Sequence, residues 1–289
     1  MRNNEERLQK PTESAKASAI ISQTEQKKSF EFPSFTDIVE LPSEGKFYGP
    51  EHPLHNKESV EVFYMTSKEE DVLTSETLLE NGLMFDKLIS SVLKDKKIKS
   101  KDLLDADRSA VLISVRKTGM GPDYTVTNMP CPECNNKQEV TANLNSDVYI
   151  NDNQKDLKDL DITRNGDSLF NYKMKWEDIE VDIGFKLLDG VDEGEIFKKT
   201  KKIKKTKSHE KNFTNRLKQI IVSVNGREDK LYIQRFCENM PYIFAKDLLE
   251  QYSAIVPTIQ IKTEFECESC GWAGLLEVPV TKNFFWPDL

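Results

Sequence analysis

The stretch "CPECNNKQEV", residues 131–140, holds two cysteines separated by two residues. Such a pair offers two corners of a tetrahedral metal site, and a tetrahedral ion takes four. The matching half is "CESC", residues 267–270. Both pairs sit between stretches that alternate. Ile259, Ile261, Thr263 and Phe265 alternate with Gln260, Lys262, Glu264 and Glu266, and Leu276, Val278 and Val280 follow the second pair. A period of two predicts strands, so each pair marks the tip of a β-hairpin. Asn135 follows the first pair and Gly271 the second. These are the residue types that best accept the positive φ such a tip requires.

Two tips with two thiolates each make the closed shell of a structural zinc, held by Cys131, Cys134, Cys267 and Cys270 as one ion. Iron also suits four thiolates, and two metal-free turns are the alternative. Neither pair precedes a helix, whose N-terminus lowers the thiol pKa in redox motifs. Between Cys134 and Cys267 lie 132 residues, far more than the roughly 15–20 of a compact ribbon. Closing a long loop costs only logarithmically more than closing a short one. The intervening chain is therefore read as an inserted domain.

The 289 residues suffice for one large or two modest domains. Hydrophobic residues make up 37% and charged residues 31%, with a net charge of −8. An acidic balance argues against a nucleic-acid binder. The longest apolar runs, such as "AVLISV", are too short to span a bilayer. "MRNNEERLQK" has no apolar signal core, so secretion is not expected. Five cysteines in two tight pairs and one single do not suit a disulfide framework. The single one, Cys237, is read as a small buried apolar residue.

Outward from the knuckles, the expected fold is α+β, in four segments. Residues 1–33 are a polar arm, too poor in apolar groups to offset ordering entropy. Residues 34–144 hold a turn-rich loop, "LPSEGKFYGPEHPL", a small helical unit and the first knuckle. Ser67 and Glu70 have capping-box spacing. Met84, Leu88 and Val92 share a helical face, as do Leu104, Arg108, Val111, Leu112 and Val115, with Gly119 as the stop. Residues 145–257 form the inserted α+β domain. It opens with an acidic loop, "SDVYINDNQKDLKDLDITRNGD", and continues with a hairpin over "LFNYKMKWEDIEVDIGFKLL". A helix follows through "FTNRLKQIIVSV" to the Asn225–Gly226 stop, then two helices end at Pro257. Residues 258–289 carry the second knuckle and the tail.

Chemistry beyond the metal is sparse. His52 and His55 lie in a Pro-rich loop with no helix to align them as ligands. No phosphate-binding glycine loop, nucleophile elbow or supported carboxylate pair occurs, so no enzymatic activity is expected. "KKTKKIKKTKSHEK", residues 198–211, holds eight lysines. Without arginine or interleaved aromatics, it reads as a solvated face or an attraction for an acidic partner protein. Aromatic residues at the two ends are the candidate partner contacts: Phe30, Phe32 and Phe35 at one, Phe284, Phe285 and Trp286 at the other.

The segments "LPSEGKFY", "VEVFYMTSKEEDVLTS", "DKLISSVL", "GPDYTVTNMPCPEC", "LLDGVDEGEI", "LKQIIVSVNGRED" and "FECESCGWAGLLEVPVTKNFFWP" occur in that order. In this the chain resembles the baseplate hub proteins of T-even-like contractile-tailed phages, often called baseplate hub assembly chaperones. The likeness covers roughly residues 34–287. It implies a virion-morphogenesis factor that acts in the host cytoplasm, or stays in the virion baseplate, with hub and tape-measure proteins as partners. The implied function is binding, so the likeness supplies no catalytic residues. The lysine stretch and the acidic loop at 145–167 depart most from the pattern. A zinc-ribbon nucleic-acid module is the competing reading from another class.

Overall fold

The computed structural model describes residues 34–151, 157, 160–176, 179–206, 212–280 and 284–286. The arm with Phe30 and Phe32, and Lys207 and Lys211 of the basic run, lie outside the described residues. Residues Phe35–Leu289 form one compact unit.

Strands β1 (Thr36–Glu40) and β2 (Ser59–Phe63) pair antiparallel. The loop between them carries the turn-rich "LPSEGKFY". Most of it is buried: Leu41, Ser43 and Tyr48 point inward, and Glu44 and Lys46 remain exposed. The cause is a carboxylate below. Asp107 accepts hydrogen bonds from the Ser43 N–H (3.0 Å), the Ser43 hydroxyl (2.6 Å) and the Tyr48 hydroxyl (2.6 Å). The Leu104 N–H in turn donates to Tyr48 Oη. Burial raises the Asp107 pKa even against these three donors. Gly45 has φ 68°, and a Cβ there would stand 2.3 Å from the Lys57 nitrogen, so only glycine fits.

Helix α1 (Ser67–Leu73) starts one residue earlier than the Ser67–Glu70 spacing suggests. Thr66 is the N-cap, extended at φ −122°, and Glu69 closes the capping box by accepting from the Thr66 N–H. Helix α2 (Glu76–Asn81) ends at Gly82, and α3 (Met84–Val92) buries Met84, Leu88, Ile89 and Val92 as its spacing requires. Helix α4 (Asp105–Met120) runs past Gly119 to a C-cap at Gly121, φ 90°. Gly119 serves packing instead: a Cβ there would lie 2.6 Å from Met65 Sδ.

Strands β3 (Asp123–Pro130) and β4 (Lys137–Asn143) form a two-stranded hairpin. The acidic stretch, read as loop, contributes two short strands. β5 (Val148–Ile150) pairs with β10 (Ile259–Glu266), which pairs with β11 (Ala273–Glu277), in the order β11–β10–β5. β6 (Ile162–Arg164) edges a sheet of order β6–β7–β8–β9. Its centre is the expected hairpin, β7 (Leu169–Trp176) with β8 (Ile179–Lys186), pairing Phe170 with Phe185 and Tyr172 with Ile183.

Helix α5 (Gly190–Thr206) docks on α4 through Arg108, whose Nε donates to Glu193 (2.9 Å). Helix α6 (Asn212–Ile220) stops short of its expected end, and Ile221–Val224 is strand β9. Apolar residues at 217, 220, 221 and 224 suit either period. Pairing of Ile221 with Phe185 and Val224 with Ile183 decides for the strand. Helices α7 (Lys230–Asn239) and α8 (Tyr242–Ile255) follow as expected. The α8 side chain Tyr252 meets Phe185 edge-on, and Phe185 stacks on Phe170 at 5.6 Å. Truncating either buried phenylalanine to alanine would cost about 3–5 kcal/mol. Helices and strands share one α+β core.

Candidate metal centre

Both knuckles are built by the same local hydrogen bonds. In the first, the Cys131 N–H donates to the Asn136 carbonyl (2.8 Å) and the Asn135 N–H to the Cys131 carbonyl (3.0 Å). In the second, the Cys267 N–H donates to the Trp272 carbonyl (2.8 Å) and the Gly271 N–H to the Cys267 carbonyl (2.9 Å). Asn135 sits at φ 57° and Gly271 at φ 71°, the left-handed conformation expected of them. The resulting curl turns both sulfurs of each pair to one side.

The fold then brings the two tips together. All four Sγ atoms lie within 4.8 Å of one another. Cys131 Sγ is 3.8 Å from Cys270 Sγ, and Cys134 Sγ is 3.6 Å from Cys267 Sγ. Four sulfurs about 2.3 Å from a tetrahedral ion stand about 3.8 Å apart, so the cluster has the dimensions of a metal shell. A disulfide needs about 2.05 Å, and all five cysteines are free. Cys131 and Cys267 are buried, whereas Cys134 and Cys270 are exposed. The backbone N–H of Cys270 bonds the Cys267 sulfur and brings its pKa down to about 6, whereas at Cys270 the Trp272 N–H acts the same way but burial and the neighbouring sulfurs outweigh it and raise the pKa. Four sulfur ligands complete a tetrahedral shell and leave no position for a substrate or an activated water.

A residue that sequence reasoning missed ties the tips directly. Gln138, on β4, donates from Nε2 to the Glu266 carbonyl (2.8 Å) and accepts at Oε1 from the Glu268 N–H (3.1 Å). One amide thus bridges the two hairpins next to the sulfurs. Nothing in the sequence distinguishes Gln138 from any polar strand residue. Behind the second tip, Trp272 packs on Phe265 with centroids 5.9 Å apart.

The model of the T4 bacteriophage base plate protein family matches residues 34–286. The chain belongs to this family. Membership gives it a role in the structure or assembly of a phage baseplate, with other baseplate proteins as its expected company. No curated protein and no solved structure matches it. No helix among the described residues is long and apolar enough to cross a membrane.

The aromatic candidates separate. Phe35 is 61% exposed and leans on Tyr64, 5.9 Å away. The tail candidates differ: Phe284 and Phe285 are buried and Trp286 is half-buried. Phe284 meets Tyr124 edge-on at 4.9 Å, and Phe285 approaches Phe85 at 6.0 Å. A second missed residue holds them. Arg116 donates to the carbonyls of Phe284 (2.6 Å), Gly121 (2.8 Å) and Asp123 (3.0 Å). It joins the tail, the end of α4 and the start of β3. An arginine adjoining the apolar face of α4 was the only available signal.

His52 and His55 do not belong to the sulfur cluster. His52 stacks on Tyr48 at 4.4 Å, and His55 Nδ1 donates to the Tyr48 carbonyl at 2.6 Å. Cys237 is buried, and burial pushes its thiol up to about 11.

Proposed function

We propose that this chain is a non-enzymatic tail-morphogenesis factor that binds hub and tape-measure proteins and assists assembly of the baseplate's central hub. The observation that carries this reading is the family match across residues 34–286. The closed four-sulfur cluster supports it, because such a shell fixes geometry and does not turn over substrate. The ion is zinc, bound by Cys131, Cys134, Cys267 and Cys270, and it contributes on the order of 10 kcal/mol to folding. The four thiolates also suit iron, and elemental analysis separates the two.

The test is isolation of the tagged chain from infected cells at successive times, with mass spectrometry and metal analysis of the same samples. Hub and tape-measure proteins with one zinc per chain, and no chain in purified virions, are the expected result. Stoichiometric chain in virions establishes a permanent structural subunit instead. Isolation without any baseplate protein overturns both. Salt-sensitive DNA or RNA binding would establish the nucleic-acid module.

A further inference from the structure

The four sulfurs of the centre differ in access. Cys131 and Cys267 are buried, whereas Cys134 and Cys270 are exposed. Each hairpin therefore contributes one sulfur open to solvent and one behind it. Close contacts run between the hairpins. Exposed Cys134 Sγ stands 3.6 Å from buried Cys267 Sγ, and exposed Cys270 Sγ stands 3.8 Å from buried Cys131 Sγ. The thiolate is the reactive form of cysteine, and its oxidation follows exposure.

Closing either cross pair needs a sulfur–sulfur distance of about 2.05 Å. The tips belong to separate hairpins clasped by the Gln138 amide, so they can supply it by drawing together. Closure within a pair has to deform a curl that two backbone hydrogen bonds and a left-handed residue hold in shape. A disulfide strained in that way is more easily reduced. The cross pairs are the favoured products.

We propose that the clasp is redox-convertible: a peroxide joins Cys134 to Cys267 and Cys270 to Cys131, which frees the ion and leaves the tips covalently linked. The inference rests on the metal-centre reading above. In each step the exposed thiolate attacks one peroxide oxygen and breaks the O–O bond, giving a sulfenic acid and hydroxide. The buried thiolate of the other hairpin then attacks that sulfur, forms the S–S bond and displaces a second hydroxide. Two protons turn the two hydroxides into water. Two thiolates have lost two electrons and the peroxide has gained them, so one peroxide makes one disulfide. A shell stripped of its thiolates no longer holds a divalent ion, whose own charge is unchanged. Neither pair begins a helix, so the reaction is a stoichiometric conversion of this chain and not a catalysed exchange. Cys237 lies outside the cluster and is buried, so it stays reduced.

The test treats the full chain, purified reduced and kept dilute, with a stepwise excess of hydrogen peroxide. Metal content is measured first, release is followed with a chromogenic chelator, and unreduced peptides are mapped by mass spectrometry. One ion released per two disulfides, links Cys134–Cys267 and Cys131–Cys270, and a free Cys237 are expected. Reduction in the presence of zinc should restore the ion. Cys134→Ser should lose the first link and keep the second, whether or not that variant holds metal. Links within a pair, links to Cys237 or to a second chain, sulfinic acids in place of disulfides, or an ion retained through the whole titration overturn the proposal. A chain purified without metal overturns the metal-centre reading, and its disulfide map still decides the pairing.

Discussion

The two knuckles share a backbone and differ in everything around it. Each curls through the same two hydrogen bonds into a left-handed residue. The first tops a two-stranded hairpin, while the second belongs to a three-stranded sheet buttressed by β5. The first uses Asn135 where the second uses Gly271, and the first supplies Gln138, the amide that clasps the other. A metal-ready tip is therefore a local property, set by about six residues. The meeting of two tips is a property of the whole chain.

The largest effect should come from breaking what the tips share. Cys131→Ser or Cys267→Ser should abolish metal binding equally, and each should destabilise the protein by several kcal/mol. Metal analysis and thermal denaturation check this, and a variant that keeps its ion would show that the halves are not equivalent. Next comes Arg116→Met, which strands three carbonyls at the foot of the first hairpin and in the tail. A loss of about 3 kcal/mol is expected. Hydrogen exchange should rise in β3 and the tail before it rises in β11.

Smaller changes sharpen the contrast. Gly271→Ala meets no neighbour but must adopt φ near 71°, so about 1–2 kcal/mol is expected. Asn135→Gly at the equivalent position should be close to neutral, and denaturant titration of both gives the comparison. Gln138→Ala should cost about 1 kcal/mol and weaken metal affinity in a competition titration, leaving both curls intact.

The smallest effect concerns the turn that links the hairpins. Burial works against the Asp147 carboxylate, yet the Asn143 N–H and the Ser146 and Thr263 hydroxyls outweigh it and lower its pKa. A lowered folded-state pKa gives stability that is complete above the ordinary carboxylate range. It is lost as pH falls through the folded-state value. Asp147→Asn should flatten the acid limb of the stability–pH curve below about pH 4, measured by thermal melts.

The sequence reveals the centre because its chemistry is local. Cysteine spacing, Asn135, Gly271 and the flanking alternation are each visible within ten residues. The β7–β8 hairpin and helices α3, α7 and α8 are legible for the same reason, since their patterns outlast one turn of either period. What escapes depends on partners distant in the chain. β5 and β6 are three residues each, defined by pairing and not by pattern. Ile221–Val224 fits two periods until Phe185 and Ile183 choose one. The packing of the tail aromatics escapes because Arg116 and Tyr124, which receive them, lie more than 150 residues away.

The distance between the two cysteine pairs has a temporal meaning. A chain emerging from the ribosome presents Cys131 and Cys134 early and can hold only half a site. Cys267 and Cys270 appear when the whole family-matched region except its tail has been made. An ion held by all four sulfurs would therefore be captured only once translation has passed residue 270, and a product terminated before Cys267 would offer it half a shell.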